Sequence, residues 1–102
     1  MKLNKEFDPI RKWAKEKGIY DKATIEMQMI KLVEEMGELA NGIIKKNDDE
    51  VKDAIGDCVV VLTNLAEMYG CGSIEDCINS AYGVIAKRTG QMIDGVFVKE
   101  SE

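Results

Sequence analysis

The amino-acid sequence predicts an all-α protein, a four-helix-type bundle, and three observations predict it. Apolar residues recur three and four apart through two long segments, which is the period of a helix face. Short breaks rich in Gly, Asn and Asp separate the periodic stretches. One proline and nine glycines in 102 residues leave little material for a turn-rich β fold. At this length the chain is a single domain, residues 1–102, near the lower end of the size that supports one core.

The elements follow in order. Asp8-Pro9 starts the first helix, with Asp as N-cap and Pro at the first helical position. It runs to Lys17, ends at Gly18, and carries Ile10, Trp13 and Ala14 on one side. The second spans Lys22 to Lys46 on a stripe of Ile25, Met29, Leu32, Val33, Met36, Ala40 and Ile43. Asn47-Asp48-Asp49 then breaks the chain and caps a third helix that reaches Tyr69, with Val51, Ile55, Cys58, Leu62, Leu65 and Tyr69 as its stripe. After Gly70-Cys71-Gly72, the pair Ser73 and Asp76 resembles a capping box and opens a fourth helix, Ile74 to Thr89, stopped by Gly90. The tail from Gln91 to Lys99 alternates around Asp94-Gly95, the pattern of a small hairpin.

Both long helices carry apolar residues beyond their stripes: Met27, Ile30 and Ile44 on the second, Val59, Val60 and Val61 on the third. Helices apolar nearly all round are covered on several sides. A monomer of this size has too few elements to do so, and oligomerisation supplies the cover.

Composition excludes several functions. A net charge of −5 with no strong basic patch argues against a nucleic-acid polymer as partner. No run approaches 18 apolar residues, so no membrane span is expected. The start, Met1 to Phe7, lacks an apolar signal region. Cys58, Cys71 and Cys77 are an odd set without metal-type spacing, and free thiols fit a cytoplasmic setting. The absence of histidine removes Ser-His-Asp and Cys-His catalysis, Glu-x-x-His di-iron bundles and most catalytic zinc sites.

What remains is carboxylate chemistry. Glu34, Glu35 and Glu38 cluster on the second helix; Asp48, Asp49, Glu50, Asp53 and Asp57 cluster on the third, just before the apolar run Cys58 to Leu62. Each set repeats at helical spacing, so each forms a stripe, and antiparallel packing through Asn47 lets the stripes face one another. Solvated acid faces paired with Lys31, Lys45, Lys46 and Lys52 are the bland alternative for any single residue, and Asp48 and Asp49 suit the positive end of a helix. Acids embedded in apolar helices are costly unless neutralised, and hard Mg²⁺ is the economical partner, with phosphate as its usual companion. Gly37 and Gly56 sit mid-helix beside the clusters at a cost of about 1 kcal/mol each relative to alanine. A close helix approach or room for a ligand accounts for them.

Lys31-Leu-Val-Glu-Glu-Met-Gly-Glu-Leu-Ala40, followed by Ile55-Gly-Asp-Cys-Val-Val-Val-Leu62, resembles the MazG-type nucleoside triphosphate pyrophosphohydrolases, the small phage-type members above all. Ile10, Trp13-Ala14, Gln28 and Lys87-Arg88 are also similar, so the likeness covers nearly the whole chain. The family pattern is Glu-Glu-x-x-Glu, a spacer, then Glu-x-x-Asp. Glu34, Glu35 and Glu38 match the first half. Setting the family's Gly-Asp on Gly56-Asp57 places Ala54 where the second Glu belongs. Either Asp53 replaces that ligand one residue earlier, with Asp57, or Glu50-x-x-Asp53 is the functional pair; the first register preserves the apolar run.

The resemblance implies an all-α pyrophosphatase bundle, dimeric or tetrameric, that cleaves a (deoxy)nucleoside triphosphate to its monophosphate and pyrophosphate. It implies Mg²⁺, with Mn²⁺ as a substitute, held by Glu35, Glu38, Asp53 and Asp57, and catalysis by Glu34, Glu35, Glu38 and Asp57. Trp13 is then either a core residue or a stacking surface for a base. Lys31, Lys87 and Arg88 either hold phosphates or are solvated, and Asn64 and Asn79 are candidate base or sugar contacts. The reading from a different class is a non-catalytic helical module that binds nucleotide or protein, its activity lost with Ala54.

Overall fold

A computed structural model describes Leu3 and residues 5–100; the first residues of the expected signal-free start, Met1, Lys2 and Asn4, lie outside them. Five helices and a hairpin follow one another: α1 (Asp8–Glu16), α2 (Ile19–Lys22), α3 (Ile25–Lys45), α4 (Asp48–Tyr69), α5 (Ile74–Ile85), β1 (Gly90–Ile93) and β2 (Val96–Lys99). The all-α class and the terminal hairpin stand as the sequence predicts.

Local chemistry sets the boundaries. Phe7, not Asp8, is the N-cap of α1; Asp8 is the first helical residue, and its charge favours the helix start. Gly18 turns left-handed at φ 79° and ends that segment. The chain then forms the extra one-turn helix α2, and Thr24 starts α3 by accepting a hydrogen bond from the Met27 N–H. The long helix thus begins at Ile25 instead of Lys22. Asn47 caps α4 through the Glu50 N–H, and Gly70 closes it at φ 86°. Ser73 and Asp76 form a full capping box at α5.

That last helix stops at Ile85, four residues short of Thr89. The reason is the hairpin: Thr89 accepts from the Glu100 N–H and donates its hydroxyl to Glu100 Oε2 at 2.7 Å, which draws the strand pairing back toward the helix. Asp94 and Gly95, both at positive φ, make the two-residue turn.

α3 and α4 form an antiparallel pair, and it is the main packing interface of the molecule. The stripes read from periodicity are not the buried faces. α3 buries Leu32, Glu35 and Gly42, and α4 buries Ala54, Val61, Thr63, Asn64 and Ala66. Met29, Val33, Met36, Ile43, Ile55, Leu62 and Tyr69 are exposed. Each helix has two apolar faces, and a single chain can bury only the one with small side chains.

The close approach lies at Gly42, where a Cβ would stand 3.1 Å from Val51 Cγ2 and 3.2 Å from the Val51 nitrogen. Gly37 and Gly56 face open space instead. α5 leaves α4 at 101° and buries only Ile74. Arg11 ties it back: Nη1 and Nη2 donate to Glu75 Oε1 and Oε2 at 2.6 and 2.7 Å, and Asp8 completes the ion cluster. The Sγ atoms of Cys71 and Cys77 lie 3.9 Å apart across the α4–α5 joint. No single described helix is long and apolar enough to cross a membrane.

Candidate metal centre

The antiparallel α3–α4 pair brings three acids together. Glu35 and Glu38, one helical turn apart on α3, meet Asp57 of α4, with one carboxylate oxygen of each within 4.8 Å of the others. Glu35 is buried, at 4% exposure, while Glu38 and Asp57 lie toward solvent. Lys31, one turn before Glu35, places Nζ 3.1 Å from Oε1 and 4.0 Å from Glu34. Glu35 Oε2 is sealed from solvent and has no hydrogen-bond partner among the described residues. The carboxylates of Glu38 and Asp57 beside Glu35 carry no proton to share when ionised.

The electrostatics follow from that crowding. The Lys31 hydrogen bond holds Glu35 below the usual carboxylate range against its burial. Glu35 in turn pushes Glu38 up. Asp57 is raised by burial first, then by the charges of Glu35 and Asp53. Three acids around an orphaned buried oxygen, one of them fixed by a lysine, are a donor set for a hard cation, which takes oxygen ligands and fills its remaining positions with water or phosphate.

A cavity of about 280 Å³ opens on this cluster, lined by Trp13, Gln28, Lys31, Glu35, Asp57 and Asn64 with apolar Ile19, Val60 and Val61. Trp13 is therefore a half-exposed wall and not a core residue. Asn64, two turns beyond Asp57 on α4, is buried and accepts a hydrogen bond from the Tyr20 hydroxyl at 2.9 Å.

Other expected residues stand elsewhere. Asp53 is exposed and outside the three-acid cluster, and its charge helps raise Asp57. Glu50 accepts from Asn41 at 3.2 Å at the α3–α4 turn. Ala54, where the family pattern has its second Glu, is buried at 1% exposure. Glu34 is exposed beside Lys31. Lys87 and Arg88 line a separate surface depression with Thr89, Lys99 and Glu100, away from the acids within this chain. Asn79 is exposed on α5. Reading the sequence missed Tyr20, because it lies in a segment taken as a break, and Arg11, because neither carries a periodic signal.

The MazG nucleotide pyrophosphohydrolase domain model matches residues 23–92. The chain belongs to that family. The MazG match contains Glu35, Glu38, Asp57 and Asn64 and leaves out α1, which supplies Trp13. A relative in Haemophilus phage HP1 (strain HP1c1), described as an uncharacterized 18.2 kDa protein in the rep-hol intergenic region, is 42% identical over 65 residues. The alignment covers 64% of this chain and 40% of that protein, so the chain spans well under half its relative's length. No solved structure matches the chain significantly.

Proposed function

We propose that this MazG domain hydrolyses a (deoxy)nucleoside triphosphate to its monophosphate and pyrophosphate with Mg²⁺, or Mn²⁺ in its place, as a homo-oligomer in the cytoplasm. The observation that carries the reading is the convergence of Glu35, Glu38 and Asp57 around an unpartnered buried oxygen, at the mouth of a cavity that also holds Lys31 and Trp13. Bound there, a divalent cation neutralises phosphate oxygens and acidifies a water. Glu35, Glu38 and Asp57 hold it, and Asp53, one turn from Asp57, completes the set from the exposed side.

Lys31 fixes Glu35 and offers its ammonium to the phosphates. Glu34, beside Lys31 and outside the cluster, is the acid left to accept the proton of the attacking water. Trp13 offers a face to the base. Lys87 and Arg88 serve the triphosphate only when a second copy brings them to the acids, because their own chain holds them apart.

One observation favours a second reading. Ala54 leaves the second acid motif one ligand short, which suits a non-catalytic nucleotide- or protein-binding module. Pyrophosphate release from a panel of nucleoside triphosphates, with and without Mg²⁺, separates the two. We expect metal-dependent release that falls by about 10² or more in Glu38→Gln, which keeps shape and removes charge. Full turnover in a folded Glu38→Gln protein sinks the metal-site reading, and no turnover in the native protein selects the binding module.

A further inference from the structure

Among the described residues, Asn64 is the one large polar side chain buried inside the cavity wall without being an acid. Its exposure is 2%, and the amide has two ends to satisfy. The Tyr20 hydroxyl donates to Oδ1 at 2.9 Å. Burial raises the Tyr20 hydroxyl, with the Glu67 charge adding and Arg11 opposing, so it keeps its proton, which here is given to Oδ1. With Oδ1 engaged, the amide nitrogen is the free end. It donates to nothing among the described residues, and it is not sealed in the protein as Glu35 Oε2 is. Asn64 lines the cavity, so this donor has the cavity to serve.

Position within the cavity says what it would meet. Asn64 lies seven residues beyond Asp57, about 10 Å along the helix axis. The acids and Lys31 hold the phosphate end, while Trp13, Ile19, Val60 and Val61 provide the apolar surface a planar base needs. We infer that Asn64, its amide oriented by Tyr20, selects nucleotides whose base carries a carbonyl acceptor over those carrying an amino group in that place. Uracil, thymine, guanine and hypoxanthine present the acceptor; cytosine and adenine present a donor there, which would meet the amide N–H₂ donor to donor. An unpaired donor on each side of a desolvated contact is what makes such discrimination large. Tyr20 is a positioning residue: without its hydroxyl the amide can turn over and accept either base.

The inference rests on the nucleotide-binding reading of the site, and binding tests it without hydrolysis. Trp13 is the sole tryptophan of the chain, so its fluorescence reports occupancy of the cavity. The probes are dUMP, dCMP and 2-deoxyribose 5-phosphate, titrated with Mg²⁺ present. The native protein should bind dUMP at least about tenfold more tightly than dCMP, which corresponds to one hydrogen-bond mismatch. Tyr20→Phe, which keeps ring and packing, and Asn64→Ser should bring that ratio within about threefold.

Discrimination that survives in both folded variants, a native preference for dCMP, or no native preference at all overturns the inference while leaving the hydrolase reading intact. Equal weakening of all three probes overturns it too, because the amide would then serve the sugar or the fold. If the native protein binds none of the three, this inference fails, and pyrophosphate release from the triphosphates decides the hydrolase reading separately.

Discussion

Glu35 sets two opposing forces against each other. Burial alone would favour its neutral form, yet Lys31 at 3.1 Å keeps it charged, and that charge lifts Glu38 and adds to the burial that lifts Asp57. For an acid raised in the folded state, stability is full below the unfolded value and is lost as pH rises through the raised one. Glu38 and Asp57 should therefore cost the metal-free protein melting temperature as pH climbs above the ordinary carboxylate range, while the lowered Glu35 and Glu75 act the other way. A Glu38→Gln, Asp57→Asn double variant should remove that cost, and Mg²⁺ should offset it in the native protein by binding only the folded site.

Asp53 and Glu50 separate in the same experiment. Asp53→Asn removes a charge that raises Asp57, so the metal-free protein gains stability, the Mg²⁺-induced rise shrinks and most activity goes. Glu50→Gln keeps the side-chain shape beside Gly42 and alters the Asn41 contact away from the acid cluster, so it should leave both nearly intact. Glu50 essential with Asp53 dispensable would reverse the choice of register in the second acid motif.

At the scale of elements, the crossing of α3 and α4 depends on Gly42. A methyl there meets the Val51 side chain and backbone at just over 3 Å, and the backbone cannot swing aside. Gly42→Ala should cost about 1–2 kcal/mol despite better helix propensity. Gly56→Ala meets nothing within 4 Å and should gain up to about 1 kcal/mol from propensity alone. Comparing the two melting curves checks this, and equal shifts would remove the close-approach account.

The Arg11–Glu75 fork joins α1 to α5, and Arg11 holds Glu75 below its ordinary value of 4.5. A lowered carboxylate contributes stability above its unfolded value and loses it as pH falls through the folded one. Glu75→Gln should thus be less stable at pH 7 by about 1–2 kcal/mol, with the gap closing below about pH 4. A gap that persists unchanged in acid would mean the pair contributes through packing instead.

At the scale of the whole molecule, the single chain is open. Its radius of gyration is 16.1 Å, against about 13 Å for a compact chain of 100 residues. The buried apolar residues are few and mostly small: Ala14, Leu32, Ala54, Val61, Ala66 and Ile74. Meanwhile Met29, Ile30, Val33, Met36, Ile43 and Ile44 lie exposed along α3, and every residue of the hairpin strands is exposed. An isolated two-stranded hairpin is marginal in water, and an apolar surface of this extent supports the proposed self-association. The protein should run as a dimer or larger at micromolar concentration by light scattering; a single 11.4 kDa species would contradict the assembly.

Local rules were enough for much of the architecture. Asn47, Gly70 and the Ser73–Asp76 box end and begin helices through bonds to their own neighbours, and Asp94-Gly95 turns the hairpin by its own backbone preferences. Those effects act within a few residues, so they are legible in the sequence, and so were Glu35, Glu38 and Asp57, whose spacing puts them on facing stripes. Which face of each helix turns inward was not legible. Period reports that Leu62 and Val61 are both apolar; only the packing of α4 against α3 and the other helices decides that Val61 is buried and Leu62 is left out. The same holds for Tyr20, whose bond to Asn64 joins residues 44 apart, and for Asp53, one turn from the acid cluster yet outside it. Contacts between distant segments depend on how the helices cross, and no local pattern encodes the crossing.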